Sequence, residues 1–268
     1  MFDGNILREF DWTRVTVLDK AFTKAMAIAD DDGSDIWKVA VDGVPAILKR
    51  TKKFHRNVRV QVFIDEIKPC FGLTKMGCTL VEPPGDRPTL LMRFHGDGRN
   101  LAHLPLGQWV RDRAIAVELV KMAVLDLVTV NNNRLTRNVL YVGPGQAVAI
   151  DEEKALDFGG LVTFRMSKDV RLAMIASGVD VGAFVERLRR EDVVAQWRTT
   201  AAGIFQPAHV DQILAGMQQR FDTLPADYWR YLDSRYGDGK KAGIKSKRQR
   251  SPNPWDVPDL GGIPKAAS

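Results

Sequence analysis

The segment 131–138 reads NNNRLTRN and stands between two apolar runs of the chain. It is followed by the apolar stretch VLYV, a GPGQ turn and the stretch AVAI, which ends at Asp151. Two apolar stretches around a Gly-containing turn predict a β-hairpin, and a hairpin returns the chain to where it began. The pattern therefore indicates a site for a charged group, at which the second strand ends in the single carboxylate of Asp151.

The composition is typical of a globular protein. The chain has 268 residues, of which 45% are hydrophobic and 27% charged, enough for one large domain or two lobes that share a cleft. No stretch reaches the roughly 18 to 20 apolar residues of a membrane span, and the N-terminal segment lacks the features of an export signal. We therefore expect a cytoplasmic protein, with Cys70 and Cys78 as core thiols.

The net charge of +6 is concentrated near the C-terminus. Residues 240–250 contain six Lys or Arg and no acid, which equals the whole excess, and a segment rich in Pro and Gly follows. We therefore expect residues 237–268 to form a flexible basic tail. The rest of the chain is neutral and gives no indication of nucleic-acid binding, so only the tail is a candidate for it.

The part of the chain before residue 105 is predicted to consist of short strands and one helix. Alternating apolar residues predict three strands, one helix and two strands, in that order. The expected elements are the strands 24–29, 35–43 with its Asp42-Gly43 turn, and 44–50, the helix 56–68 ended by Pro69, and the strands 78–82 and 87–94.

Helices dominate after residue 105. Apolar periodicity predicts a long helix from Leu106 to about Val130, and shorter helices at 168–177, 181–190, 192–202, 207–222 and 225–235. The sequence thus predicts an α+β fold. Its small antiparallel-sheet lobe, with one helix, would comprise residues 1–95, and its mainly helical lobe residues 96–236.

This order of elements resembles the protein-kinase-like superfamily, especially its atypical branch of phosphatidylinositol kinases, HipA toxin and actin-fragmin kinase. The catalytic loop of that branch resembles D-R-H-x-x-N, with a metal-binding Asp after a short hairpin. Here the segment 133–138 keeps the Arg, as Arg134, and the final Asn, as Asn138, and Asp151 follows thirteen residues later. The resemblance implies that Asn138 and Asp151 hold Mg²⁺, or Mn²⁺, on ATP while Arg134 braces the loop.

Lys49 ends the stretch VPAILK, which resembles the V-A-I-K strand of kinases. The Lys of that strand binds the nucleotide phosphates and pairs with a Glu on the following helix. Asp65 and Glu66 are both candidates for this partner. Glu66 is preferred because it shares a helical stripe with Val62 and Cys70 that is expected to face the sheet.

The segment that begins TLLMRFHGDG at residue 89 resembles the strand and hinge that join the kinase lobes. An apolar strand that ends in a polar turn suits a flat base, because apolar walls stack on the ring while backbone groups bind its edge. The resemblance makes Met92, Arg93, Phe94 and His95 the expected adenine-binding residues.

Two features depart from the kinase pattern. Asn133 stands where the catalytic acid would be and Leu135 where the His would be. An amide cannot accept the proton of a substrate hydroxyl, but it can orient that hydroxyl by hydrogen bonding. The turn 29–35, ADDDGSD, lies where a loop would cover the phosphates, and its acids would repel an anion unless a metal intervenes or they point outward.

Other acids near the hairpin are alternative metal ligands. The triplet D-F-G begins at Asp157, nineteen residues after Asn138, and it is the second choice if the strand continues through residues 154–156. Glu152 and Glu153 could supplement the metal site, but the preferred prediction places both on the surface.

The motifs of hydrolases, P-loop proteins and dehydrogenases do not occur, and the four histidines are scattered. The resemblance therefore implies an ATP-dependent phosphotransferase that acts on a hydroxyl of a protein or small molecule, with Lys49, Asn133 and Arg134 as catalytic residues. Two alternatives stay open. One is a pseudokinase that binds nucleotide as an interaction module, and the other is a kinase-fold enzyme that transfers AMP.

Overall fold

The structure is a computed structural model that describes residues 6–7, 9–19, 35–50, 57–81, 89–95, 99–132, 134–152, 154–158 and 162–233. Contacts within the chain define one compact unit, residues 1–236, and a second unit, residues 237–268. Several predicted features fall outside the described residues. These are the strand 24–29, the loop of the acidic turn, Asn133, Glu153 and the basic tail.

The N-terminal part contains a six-stranded sheet with the order β1-β5-β6-β4-β3-β2. Its pairs are antiparallel except for β1 with β5. Asp42 and Gly43 both have positive φ, 51° and 77°, which is the geometry of a two-residue hairpin turn and confirms the predicted turn. The strands are β1 (Ile6–Leu7), β2 (Val15–Asp19), β3 (Asp35–Val41), β4 (Val44–Arg50), β5 (Cys78–Val81) and β6 (Thr89–Arg93).

One face of this sheet carries an apolar core against which the N-terminal segment packs. Neighbouring strands place their side chains on this face at every second position, as the pleat of a sheet requires. Partly buried Phe10, Val15 and Trp37 pack against it. The buried residues of this core are Val39, Val41, Ala46, Leu48, Val81 and Leu91. The residues between them, including Lys49, must therefore face the opposite side.

The helix of the N-terminal part is α1 (Asn57–Ile67), which continues into a 3₁₀ turn, Lys68–Phe71. We call α1 the sheet helix. Six further helices are described after residue 105. The central helix is α3, which is buried over most of its length, as expected for a helix whose side chains are mostly apolar. The six are α2 (Leu106–Trp109), α3 (Arg113–Thr129), α4 (Lys168–Ala176), α5 (Val181–Arg190), α6 (Val193–Ile204) and α7 (Pro207–Asp233).

Two predicted helix boundaries are wrong. The helix expected from Leu106 to Val130 is two helices, because the carboxylate of Asp112 accepts hydrogen bonds from the amides of Ala114 and Ile115 at 2.9 and 3.3 Å and so starts a new helix. The break expected between residues 222 and 225 is absent. Buried side chains at 221, 224 and 228 form one continuous stripe, and this packing outweighs the local preference.

A second, three-stranded antiparallel sheet has the order β7-β8-β9. Its strands are β7 (Arg99–Asn100), β8 (Val139–Gly143) and β9 (Gln146–Ala149), and the pairing of β8 with β9 confirms the predicted hairpin. Cys78 is buried and Cys70 is half-buried, and burial raises the pKa of both thiols.

The sheet helix α1 is attached to the helical part along one side. The guanidinium of Arg59 donates to the carbonyl oxygen of Ile204 at 2.6 Å, and Phe63 meets Phe205 edge to face. None of the helices that the structure describes combines the length and apolar character needed to cross a membrane.

Candidate functional site

Lys49 and Asp151 lie against each other although they are 102 residues apart. The Nζ of Lys49 is 3.5 Å from Oδ1 of Asp151, and the two side chains are 7% and 37% exposed. Lys49 is thus held inside the fold while the carboxylate reaches solvent. Strand register places Ile47 opposite Met92, and because alternate residues share a face, both lie on the same sheet face as Lys49.

The hairpin brings Asn138 next to Asp151. Asn138 ends the 3₁₀ turn Thr136–Asn138 and is 5% exposed. Its carbonyl oxygen accepts a hydrogen bond from the amide of Ile150 at 3.0 Å, so it stands beside the residue that precedes Asp151. The hairpin therefore brings the backbones of Asn138 and Asp151 close together, and the convergence of the Asn138 side-chain amide with the Asp151 carboxylate stays a prediction.

These two residues fit a magnesium ion shared with a nucleotide. Mg²⁺ takes oxygen ligands and is usually held by one or two carboxylates together with phosphates and water, and Asn138 and Asp151 supply one amide and one carboxylate. Among the described residues there is no group of three or more His, Cys, Asp or Glu side chains that could hold a metal. A cation held by Asn138 and Asp151 would therefore need further ligands, such as phosphate oxygens and water.

Arg134 is buried at the centre of the loop and makes five hydrogen bonds. Two run to the carboxylate of Asp126 at 3.0 Å each, one to Glu152 at 3.1 Å, and two to the carbonyl oxygens of Asn138 and Ile150 at 3.0 and 3.2 Å. The guanidinium therefore connects α3 to both ends of the hairpin. Its acidic neighbours outweigh burial and raise its pKa.

Lys68 extends the same buried network to the sheet helix. Its Nζ lies 2.9 Å from Asp65, 3.2 Å from Glu152 and 2.7 Å from the carbonyl oxygen of Ala149. Burial opposes its charge, but the two carboxylates outweigh burial and raise the pKa of Lys68. We call Asp65, Lys68, Asp126, Arg134 and Glu152 the buried charge network.

Two predictions about acids are wrong. Glu66 does not pair with Lys49, because its carboxylate binds Lys75 at 2.6 Å. The inward-facing acid is its neighbour Asp65, which accepts the amides of Met76 and Gly77 at 2.6 and 2.8 Å. Burial works against ionised Asp65, but Lys68 and these amides outweigh it and lower the pKa.

The second correction concerns Glu152, which was expected on the surface but is fully buried. Asp157, the alternative metal ligand, is exposed, and β9 ends at Ala149 instead of continuing towards it. Asp151 is therefore the acid that the hairpin carries to Lys49. Asn133 lies outside the described residues, so its predicted role stays a prediction.

The predicted hinge residues differ in orientation. Met92 faces the same side as Lys49, whereas Arg93 is exposed and, by alternation, faces the other side. The Nζ of Lys38 lies 4.2 Å from the ring centroid of Phe94, a cation–π contact. Nε2 of His95 donates to the carbonyl oxygen of Met76 at 2.9 Å. Met92 thus shares a sheet face with Lys49, whereas Phe94 and His95 contact Lys38 and Met76, and the role of these residues in adenine binding stays a prediction.

Sequence reasoning did not identify Asp126, Lys68 or Gln61, the last of which binds Glu152 at 2.8 Å. A signal was present for Asp126, because it is the one acid in the otherwise apolar run MAVLDLV. Acids are almost never fully buried unless they are paired. An acid at such a position therefore predicts a buried cationic partner, and the nearby Arg134 fills that role.

No protein-family model matches this chain, and no curated protein matches it in sequence. The fold, however, is similar to that of solved structures. One of them is the crystal structure of a Helicobacter pylori proinflammatory kinase, CtkA, with a TM-score of 0.55 and 9% identity over 75% of this chain and 93% of that one. This similarity supports a kinase-like fold, and the predicted α+β class is confirmed.

Proposed function

We propose that this chain binds Mg·ATP and transfers the γ-phosphoryl group to a hydroxyl of a protein or small molecule. One observation carries the proposal. In a kinase-like fold, the buried strand residue Lys49 meets the half-exposed carboxylate of Asp151 at 3.5 Å, beside Asn138. A cation, a carboxylate and an amide at one place are the groups that bind metal-complexed phosphates.

Each residue of the proposed site contacts a different part of the Mg·ATP complex or supports a residue that does. Lys49 binds the phosphates, and its contact with Asp151 keeps its ammonium group at the site before the nucleotide arrives. Asp151 and Asn138 would hold Mg²⁺, or Mn²⁺ in its place, which supplies charge neutralisation on the phosphates when bound. Arg134 keeps Asn138 and Ile150 in place through their carbonyl oxygens. Met92 and Phe94 offer the apolar wall for the base.

Asn133 provides orientation in place of proton abstraction. Phosphoryl transfer depends mainly on positioning and charge neutralisation, so an amide that orients the acceptor hydroxyl suffices for slow transfer. The same amide is the observation that favours a second candidate function, a nucleotide-binding interaction module without turnover. The two candidates share the nucleotide site and differ in whether the γ-phosphoryl group of ATP is transferred to an acceptor.

The nucleotide site is tested by calorimetry and thermal unfolding of the full chain with Mg·ATP. We expect a stabilisation of about 2.7 kcal/mol at a hundredfold excess over Kd. Lys49→Met and Asp151→Asn should remove it. Lys75→Met is the matched control, since it breaks the pair of Lys75 with Glu66 away from the site, and it should leave the stabilisation intact. Wild-type protein that gains no stability from millimolar nucleotide with either metal would refute the proposal.

Transfer is tested with ATP labelled at the γ or the α phosphate, using a protein extract and small hydroxyl compounds as acceptors. Transfer of γ label by the wild type supports the phosphotransferase. Asn133→Asp should then raise the rate by about 10²- to 10⁴-fold, because it restores a base. Transfer of α label alone would mean AMP transfer. Nucleotide binding without any transfer, in both wild type and Asn133→Asp, would leave the interaction module as the function.

A further inference from the structure

Asp151 has a left-handed backbone conformation, which is uncommon for residues other than Gly although Asp adopts it more readily than most. Its φ is 63°, in the left-handed region, where a side chain crowds the following carbonyl group. Such a conformation persists when the surrounding structure holds it, and it is frequent at functional sites. The residues on either side of Asp151 show what holds it.

The residue before Asp151 is bound through both of its backbone polar groups. The amide of Ile150 donates to the carbonyl oxygen of Asn138 at 3.0 Å. The carbonyl oxygen of Ile150 accepts from Nη1 of Arg134 at 3.2 Å. The chain therefore enters Asp151 from a fixed position and direction.

The residue after Asp151 is held even more firmly. The amide of Glu152 donates to Oε1 of Gln61 at 2.6 Å, and Nε2 of Gln61 donates back to Oε2 of Glu152 at 2.8 Å. The other carboxylate oxygen, Oε1, lies 3.1 Å from Arg134 and 3.2 Å from Lys68. Both oxygens and the amide of this fully buried residue are thus occupied.

The partners of Glu152 are themselves fixed. Arg134 is bound to Asp126 on α3, and Lys68 to Asp65 at the end of α1. Gln61 belongs to α1, whose Arg59 is bound to the helical part. The frame around Glu152 therefore joins α1, α3 and the hairpin in one set of buried contacts.

We infer that Glu152 is a positioning residue that, together with Gln61, holds the backbone of Asp151 in its left-handed conformation and so aims the Asp151 carboxylate at Lys49 and the metal. The expected consequence of this positioning, metal-dependent binding of ATP, rests on the proposed function. In this chain α1 thus supports Lys49 indirectly, through Gln61, Glu152 and Asp151. The direct contact of Lys49 with Glu66 that the sequence predicted is replaced by this route.

The Gln61–Glu152 pair allows a reciprocal exchange. Glu152→Gln alone turns an NH₂ group either towards the NH₂ group of Gln61 or towards the cations of Arg134 and Lys68. Gln61→Glu alone places two carboxylates face to face. The double variant restores a carboxylate opposite an amide, keeps an acceptor for the amide of residue 152 and conserves the charge of the network. Gln61→Met is a milder variant that removes both hydrogen bonds without adding charge. Lys75→Gln breaks a different ion pair of α1 and is the control.

The first readout is the affinity of the full chain for ATP with Mg²⁺ and with EDTA. We expect each single variant to weaken Mg·ATP binding by roughly tenfold or more, the double variant to recover to within roughly threefold, and metal-free ATP to bind all of them alike within roughly twofold. The control should match the wild type. A purely structural role would weaken both forms of ATP together.

The second readout needs no nucleotide. Hydrogen exchange at the amides of Ile150 and Glu152 should accelerate by roughly tenfold or more in Gln61→Met, with little change across α7, and slow again in the double variant relative to the single variants. If the wild type does not bind Mg·ATP, the proposed function fails while exchange still decides the positioning role. Unchanged exchange in Gln61→Met, or a double variant that restores neither readout, would overturn the inference.

Discussion

Replacing Arg134 by Met would test the buried charge network most directly. Met has a similar length and fills much of the same space, but it removes the charge and all five hydrogen bonds. Asp126 would keep the hydrogen bond that it accepts from Asn131 at 2.9 Å. Glu152 would keep its contacts with Lys68 and Gln61. Both carboxylates, however, lose the cation that lies between them.

The expected loss of stability follows from burial. The side chains of Arg134, Asp126 and Glu152 are 3%, 1% and 0% exposed, so water cannot replace the lost partner. Removing one member of a buried ion pair typically costs about 3–5 kcal/mol, against a total stability of about 5–15 kcal/mol. The variant should still fold, but with a clearly lower free energy of unfolding.

The loss should depend on pH with a definite sign. Burial already raises the pKa of Asp126 above its ordinary value of 3.8, against the opposing effect of Arg134. Without Arg134 the pKa rises further, so Asp126 takes up a proton on folding. A carboxyl group with a raised folded pKa contributes stability below its unfolded pKa, and this is lost as pH rises through the folded pKa. The deficit of the variant should therefore be smaller at pH 5 than at pH 8.

The assay is urea unfolding of wild type and Arg134→Met at both pH values. The control is Arg187→Met, which breaks an exposed pair with Glu191 and should cost less than about 1 kcal/mol with little pH dependence. A deficit for Arg134→Met below about 1 kcal/mol at pH 8 would contradict the energetic importance of the network. A deficit that grows on acidification would contradict the assignment of Asp126 as its titrating member.

Two further predictions address the strained residue and the tail. Asp151→Gly and Asp151→Ala both remove the carboxylate that pairs with buried Lys49, and both should lose Mg-dependent ATP binding. The Gly variant should be the more stable of the two by about 1 kcal/mol, because Gly adopts positive φ without a steric penalty. Urea unfolding and calorimetry measure the two effects, and equal stability of the two variants would argue against strain at this position. Deleting residues 237–268 should leave the Tm nearly unchanged, since residues 240–250 carry six basic side chains and no acid. A large fall in Tm on calorimetric scans would show that the tail contributes to the folded unit.

Local patterns predicted most of the described elements. The Asp42-Gly43 turn, the helix before Pro69 and the hairpin of β8 and β9 all depend on residues close together in sequence, so their signals survive without any tertiary information. β2 (Val15–Asp19) was missed, because its residues are largely exposed at the sheet edge and show no clear alternation of buried and exposed positions. The prediction of one long helix failed at Asp112, whose capping role competes with apolar periodicity.

For the site, sequence alone determined the order of the elements and the spacing that returns Asp151 to Asn138, since both follow from hairpin length and apolar patterning. Tertiary structure decided which acids turn inward. An α-helix turns by about 100° per residue, so neighbouring residues face different directions. An error of one residue in choosing the inward-facing acid therefore selects Glu66, which pairs with Lys75, in place of the buried Asp65. Only the packing of α1 against the hairpin and α3 makes that choice, because burial without a partner is costly for a charge and each buried acid must meet its cation.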